Sequence, residues 1–172
     1  MEPLTQFAQL TGPLSSVIAG ITPDQLDQST PCTQFTVQGV LEHMIAGATM
    51  FTAAYRGHAA PEPDLNNVLA GIGPALQALG DAINAPGALD RSIASPFGPM
   101  SGEAFARYIV LDGLVHGWDL ATATGKPYNF TPELVTSGVS VGVPGTPATW
   151  ERALEKWGTY DLAEALAPST DL

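Results

Sequence analysis

The stretch Ser101–Gly125, SGEAFARYIVLDGLVHGWDLATATG, decides how the chain is read. Ser101 is a strong helix N-cap, and Gly125 followed by Lys126-Pro127 is a strong stop. The apolar segment between them is predicted as one long helix ending at Ala123 or Thr124. Within it Asp112, His116 and Asp119 fall at i, i+4 and i+7, which puts all three on one helix face. Charged residues form only 13% of the chain, against about 25% in an ordinary domain. Two carboxylates and an imidazole on an otherwise apolar helix therefore call for an explanation, because buried charges persist when they are paired or hold a metal.

Further helices are predicted on both sides of this one. Leu4, Phe7, Leu10, Leu14, Val17 and Ile18 recur at helical spacing over about 3–19, and Gly20 ends the run. Thr22-Pro23-Asp24 opens a turn or short helical piece. Thr36 is a plausible N-cap for a second helix from Val37 to Ala54 or Tyr55, with Val40, Leu41, Met44, Ile45 and Phe51 as its apolar set. Asp64 is placed as the cap of a third helix over about 65–83. Residues 85–100, with Pro86, Gly87, Pro96, Gly98 and Pro99, read as a long irregular crossover. Four long helices with one long crossover specify an all-α four-helix bundle, here spanning about 3–125 of a single domain. Thr131-Pro132-Glu133 opens a further helix and another is expected over about 148–164, making 131–172 an appendage whose Trp150 and Trp157 read as core or interface.

Composition excludes several classes of function. The 172 residues carry 17 Asp and Glu against 6 Lys and Arg, a formal net charge of −11. Nucleic acid and anionic membrane both require clustered cations, so neither is expected as a partner. The single cysteine, Cys32, rules out an internal disulfide framework and reads as a packing residue. No secretion leader and no apolar run of the ~18 residues needed for a membrane span is read, so a cytoplasmic location is expected. Abundant Ala, Gly and Leu with few charges point to exposed apolar area and a homodimer.

His43, in the second predicted helix, is the side chain that can close a site with Asp112 and His116. Gly39, Ala46 and Gly47 surround His43, and Gly113 and Gly117 flank His116. A glycine inside a helix costs about 1 kcal/mol relative to alanine. Two readings of these glycines stand: an open cavity with imidazoles at its floor, or close approach of another element. For Asp112 and His116 a plain carboxylate–imidazole contact competes with metal ligation, since D-x-x-x-H is far less specific than H-E-x-x-H. His58, in a Gly/Ala/Pro connector, reads as solvent-exposed, and Arg107 as a surface or interface residue.

The segment Thr30-Pro31-Cys32-Thr33-Gln34-Phe35-Thr36-Val37, followed by Leu41 and His43, resembles one signature of the mycothiol-dependent DinB-like family. Leu111–Gly125 resembles the second. The family includes the N-terminal domain of mycothiol-dependent maleylpyruvate isomerase, and the resemblance covers about residues 4–135. It implies a DinB-type four-helix bundle and a divalent metal, typically zinc, held by His43, Asp112 and His116. With three protein ligands one position stays open, the pattern of a catalytic site. The family's use of that position implies mycothiol as cosubstrate, activated as a thiolate nucleophile toward a small electrophile. Asp119 then becomes either an accepting partner of a ligand imidazole within the catalytic site or a rival third ligand, with Asp112 preferred on the family pattern. Phe35 stands where the family has Trp, and Asp112 where the isomerase has Glu. The isomerase's separate C-terminal domain is expected to be missing, and the tail after about Val135 departs from the family ending. The reading is a metal-dependent, thiol-using transferase or isomerase; its alternative is a non-catalytic, metal- or small-molecule-binding dimer.

Overall fold

The computed structural model describes residues 1–95, 98–131 and 134. Among them are four α-helices: α1 (Pro3–Ala19), α2 (Val37–Arg56), α3 (Val68–Ile83) and α4 (Gly102–Thr124). A single 3-10 turn, Pro23–Gln25, follows α1. The helix ends follow local chemistry. The Thr36 hydroxyl accepts from Gly39 N at 3.2 Å and the Ser101 hydroxyl from Ala104 N at 3.2 Å, which satisfies a backbone donor that the first turn leaves free. Gly57 and Gly125 end α2 and α4 in left-handed conformations, φ 74° and 67°, where a side chain is strained.

Two sequence expectations need correction. The third helix begins at Val68, not near 65, because the Asp64 carboxylate is taken by Asn66, accepting from its backbone N at 3.1 Å and its Nδ2 at 2.8 Å. Asn67 caps the helix instead, accepting from Ala70 N. The crossover is not wholly irregular either. It carries an antiparallel pair, β1 (Ser92–Ser95) and β2 (Gly98–Ser101), with Ile93 opposite Met100. Ile93 is fully buried, so one apolar anchor holds a segment whose Pro and Gly content reads as loop.

The four helices share a core. α1 packs along α4 and α2 along α3, α2 also meets α4, and α1 barely touches α3. Leu10, Leu14, Val17, Val40, Leu41 and Leu120 fill one region of the interior, and Phe51, Tyr55, Leu79, Phe105 and Ile109 another. No helix among the described residues is long and apolar enough to cross a membrane. The helices expected after residue 131, with Trp150 and Trp157, lie outside the described residues.

Candidate metal centre

The second turn of α2 faces the middle of α4, and there His43, Asp112 and His116 converge. One ligand atom from each lies within 4.8 Å of the other two. The rings of His43 and His116 meet edge to face, 4.7 Å between centroids. His43 is exposed, whereas the His116 and Asp112 side chains keep 14% and 23% of their surface. The group is therefore rooted in the protein on the α4 side and open to solvent on the α2 side.

His116 sits between two carboxylates. Its Nε2 is 3.5 Å from Asp112 Oδ1, and its Nδ1 is 3.4 Å from Asp119 Oδ2. Asp119 is buried, and Nδ1, although buried, has no hydrogen bond of good geometry. The Asp119 contact is thus one of charge rather than a formed hydrogen bond. Burial alone would lower the imidazole's pKa, but Asp112 and Asp119 outweigh it and push it up from 6.5 to about 9. Without a metal the ring is held as a cation between its two acids.

The loop before α2 sets the other wall. The Thr30 hydroxyl, itself buried, donates between Phe35 O at 2.8 Å and Cys32 O at 2.9 Å. Phe35 N donates to Cys32 O at 2.9 Å, and Val37 N to Gln28 O at 2.9 Å. This tight turn carries the Phe35 ring to 5.7 Å from that of His43. Thr30 and Phe35 therefore support the site as scaffold and wall. Cys32 is a half-buried free thiol outside the ligand group, and His58 is exposed, as the sequence suggests. Arg107 belongs to the helix framework: it pairs with Glu103 at 2.9 Å and donates to Gln6 Oε1 and Met1 O.

The open-cavity reading of the glycines around His116 is overturned. A Cβ on Gly113 would stand 2.7 Å from Leu10 Cδ2, and one on Gly117 would strike the Tyr128 ring. Tyr128, just past α4, folds back over that helix and donates to Gly113 O at 2.9 Å. Gly113 admits Leu10 of α1 and Gly117 admits Tyr128; Gly113 borders an apolar cleft, but neither imidazole lines it. Gly39 and Gly47 likewise lie against Phe35 and Phe51. The i, i+4 spacing of Gly113 and Gly117 signals close packing, but nothing in the sequence names Tyr128 as what fills it.

The family model for the mycothiol maleylpyruvate isomerase N-terminal domain matches residues 7–92, half of the chain. The chain belongs to that family. His43 lies within the matched segment, and Asp112 and His116 lie beyond it. Two uncharacterized proteins of Mycobacterium tuberculosis, from strains CDC 1551 / Oshkosh and ATCC 25618 / H37Rv, are each 28% identical over 134 residues, 78% of this chain and 74% of theirs. A 48-residue stretch is 48% identical to the glutathione hydrolase proenzyme of Bacillus subtilis, but this covers 28% of the chain and 8% of that protein. No solved structure matches.

Proposed function

We propose that His43, Asp112 and His116 hold a divalent metal, zinc on the character of its donors, and that the protein uses it with mycothiol as a transferase or isomerase acting on an electrophilic small molecule. The observation that carries this reading is the approach of three ligand atoms to within 4.8 Å of one another. Two imidazoles and one carboxylate suit a borderline-soft divalent ion. The fit extends outward. Nε2 of His116 is the nitrogen turned to Asp112, so Nδ1 is left facing the buried Asp119 at 3.4 Å, where a small approach makes the carboxylate–histidine pairing that fixes a ligand's tautomer. Asp119 is thus a positioning residue rather than the third ligand. Membership in a family named for a mycothiol-dependent isomerase supports the choice of thiol.

A divalent cation with an open position lowers the pKa of a bound thiol enough for the thiolate to persist at neutral pH. The exposed His43 leaves that position reachable from solvent, and the Phe35 ring walls one side. Asp112 offsets part of the ion's charge, and Asp119 steadies His116. We also read the four helices as the DinB-type bundle of this family, and the protein as cytoplasmic, where low-molecular-weight thiols stay reduced.

The test is thiol-dependent consumption of a simple electrophile, followed with and without chelator. Wild-type protein consumes mycothiol catalytically and loses this activity on chelation. His43→Ala and His116→Ala, folded by circular dichroism, do not recover it when metal is restored. Thiol consumption that survives chelation or either substitution contradicts the reading.

A further inference from the structure

The seam between α1 and α3, where the two helices barely touch, opens into a cleft of about 800 Å³. That volume lies within the range of small-molecule sites. Its walls are mainly apolar, with Phe7 and Leu14 from α1, Met44 from α2, and Ile72 and Leu76 from α3. Asp112 also lines it, the same residue that joins the two imidazoles. Met44, also in the wall, directly follows His43 in the chain. The cleft thus reaches one member of the candidate ligand group, Asp112.

The charges around the cleft narrow what it can hold. Among the described residues its ionisable lining groups are Asp81 and Asp112 alone, with no Lys, Arg or His. Among the described residues Arg91 donates to Tyr55 O, Arg107 is paired with Glu103 and Lys126 reaches Gln25, while Arg56, at the end of α2, is not part of the cleft wall. Away from the Asp112 end, an anionic group seated in the apolar body of the cleft loses its hydration without gaining a counter-charge. A neutral apolar one loses nothing of the kind and gains the buried area.

We infer that the α1/α3 cleft is the acceptor site of this protein and takes a neutral electrophile with an alkyl or aryl tail, its reactive carbon directed toward Asp112. The inference rests on the proposed thiol chemistry and names its substrate class. For a tailed vinyl ketone the atoms balance as a conjugate addition. The sulfur–carbon bond forms at the β-carbon, the π pair of the double bond passes toward the carbonyl oxygen, and the proton given up by the thiol returns to the α-carbon.

Gly73 provides the test. It lines the cleft, and a Cβ there meets nothing within 4 Å, so Gly73→Phe adds a ring at the cleft from an unobstructed backbone position. Gly12 on α1 is equally open but lies outside the cleft, so Gly12→Leu is the control. The metal-loaded protein is assayed with mycothiol and alkyl vinyl ketones of rising chain length, with maleate as a dianionic comparator. The expected result is a kcat/KM that rises by up to about fourfold per methylene until the cleft is full, a flat series in Gly73→Phe, an unchanged series in Gly12→Leu, and no gain with maleate. A series flat in the wild type, a slope surviving Gly73→Phe, or a preference for maleate overturns the inference and leaves the thiol chemistry standing. If no electrophile is consumed, the thiol chemistry itself fails, and the cleft is then judged by titration with the neutral fluorophore N-phenyl-1-naphthylamine. Binding that Gly73→Phe weakens and Gly12→Leu does not upholds the cleft as an apolar ligand site; absent binding, or equal binding in all three proteins, overturns it.

Discussion

At the scale of single residues, His116 ties the site together because it faces a carboxylate through each of its nitrogens. Its pKa in the folded, metal-free protein, about 9, lies above the ordinary 6.5. A raised pKa stabilises the fold fully below the unfolded value and loses that contribution as pH climbs through the folded value. Chelated protein is therefore expected to have a lower urea midpoint at pH 9.5 than at pH 6, and His116→Gln to lack this fall; a midpoint independent of pH contradicts the pairing. Metal binding runs the other way. The proton on His116 competes with the ion, so affinity rises with pH until the ring is free. Asp119→Asn keeps the shape of that contact but removes its charge. It is expected to weaken metal binding about 10–100-fold with the fold retained, as measured by competition with a chromogenic chelator.

At the scale of elements, the glycines of α4 hold a helix, a second helix and a returning strap together. Gly117→Ala forces a methyl group into the Tyr128 ring, a rigid neighbour whose hydroxyl is tied to Gly113 O. A loss of about 1–3 kcal/mol is expected from denaturant unfolding, as for other overpacked sites. Gly113→Ala meets only the flexible end of Leu10 and is expected to cost less; equal costs would contradict the packing account. Most of this architecture is legible in the sequence. Thr36, Ser101, Gly20 and Gly125 mark helix ends because caps and stops are local chemistry. The hairpin is not legible, because its short strands lie among Pro and Gly and depend on the burial of one side chain, Ile93. The start of α3 shifts because Asp64 and Asn67 both offer a capping oxygen, and only the fold decides between them. His43, Asp112 and His116 are legible as a group because one helix spacing fixes two of them. Phe35 against His43 and Tyr128 over Gly117 arise from tertiary contact and leave no periodic trace.

At the scale of the whole molecule, two seams are distinct in character. The α2/α4 seam carries the polar candidate ligand group, and the loosely packed α1/α3 seam carries an apolar cleft, with Asp112 common to both. A metal bound across α2 and α4 stabilises the folded state in proportion to its binding. Chelation should therefore lower Tm in the wild type and leave His43→Ala unmoved, as read by thermal unfolding with and without chelator. The most direct test of the central claim is elemental analysis of the purified protein beside its His43→Ala, Asp112→Ala and His116→Ala variants, each shown to be folded. The account predicts one equivalent of divalent metal per chain in the wild type and far less in all three variants. A folded wild-type protein that holds no metal after incubation with zinc, or variants that retain a full equivalent, would contradict it.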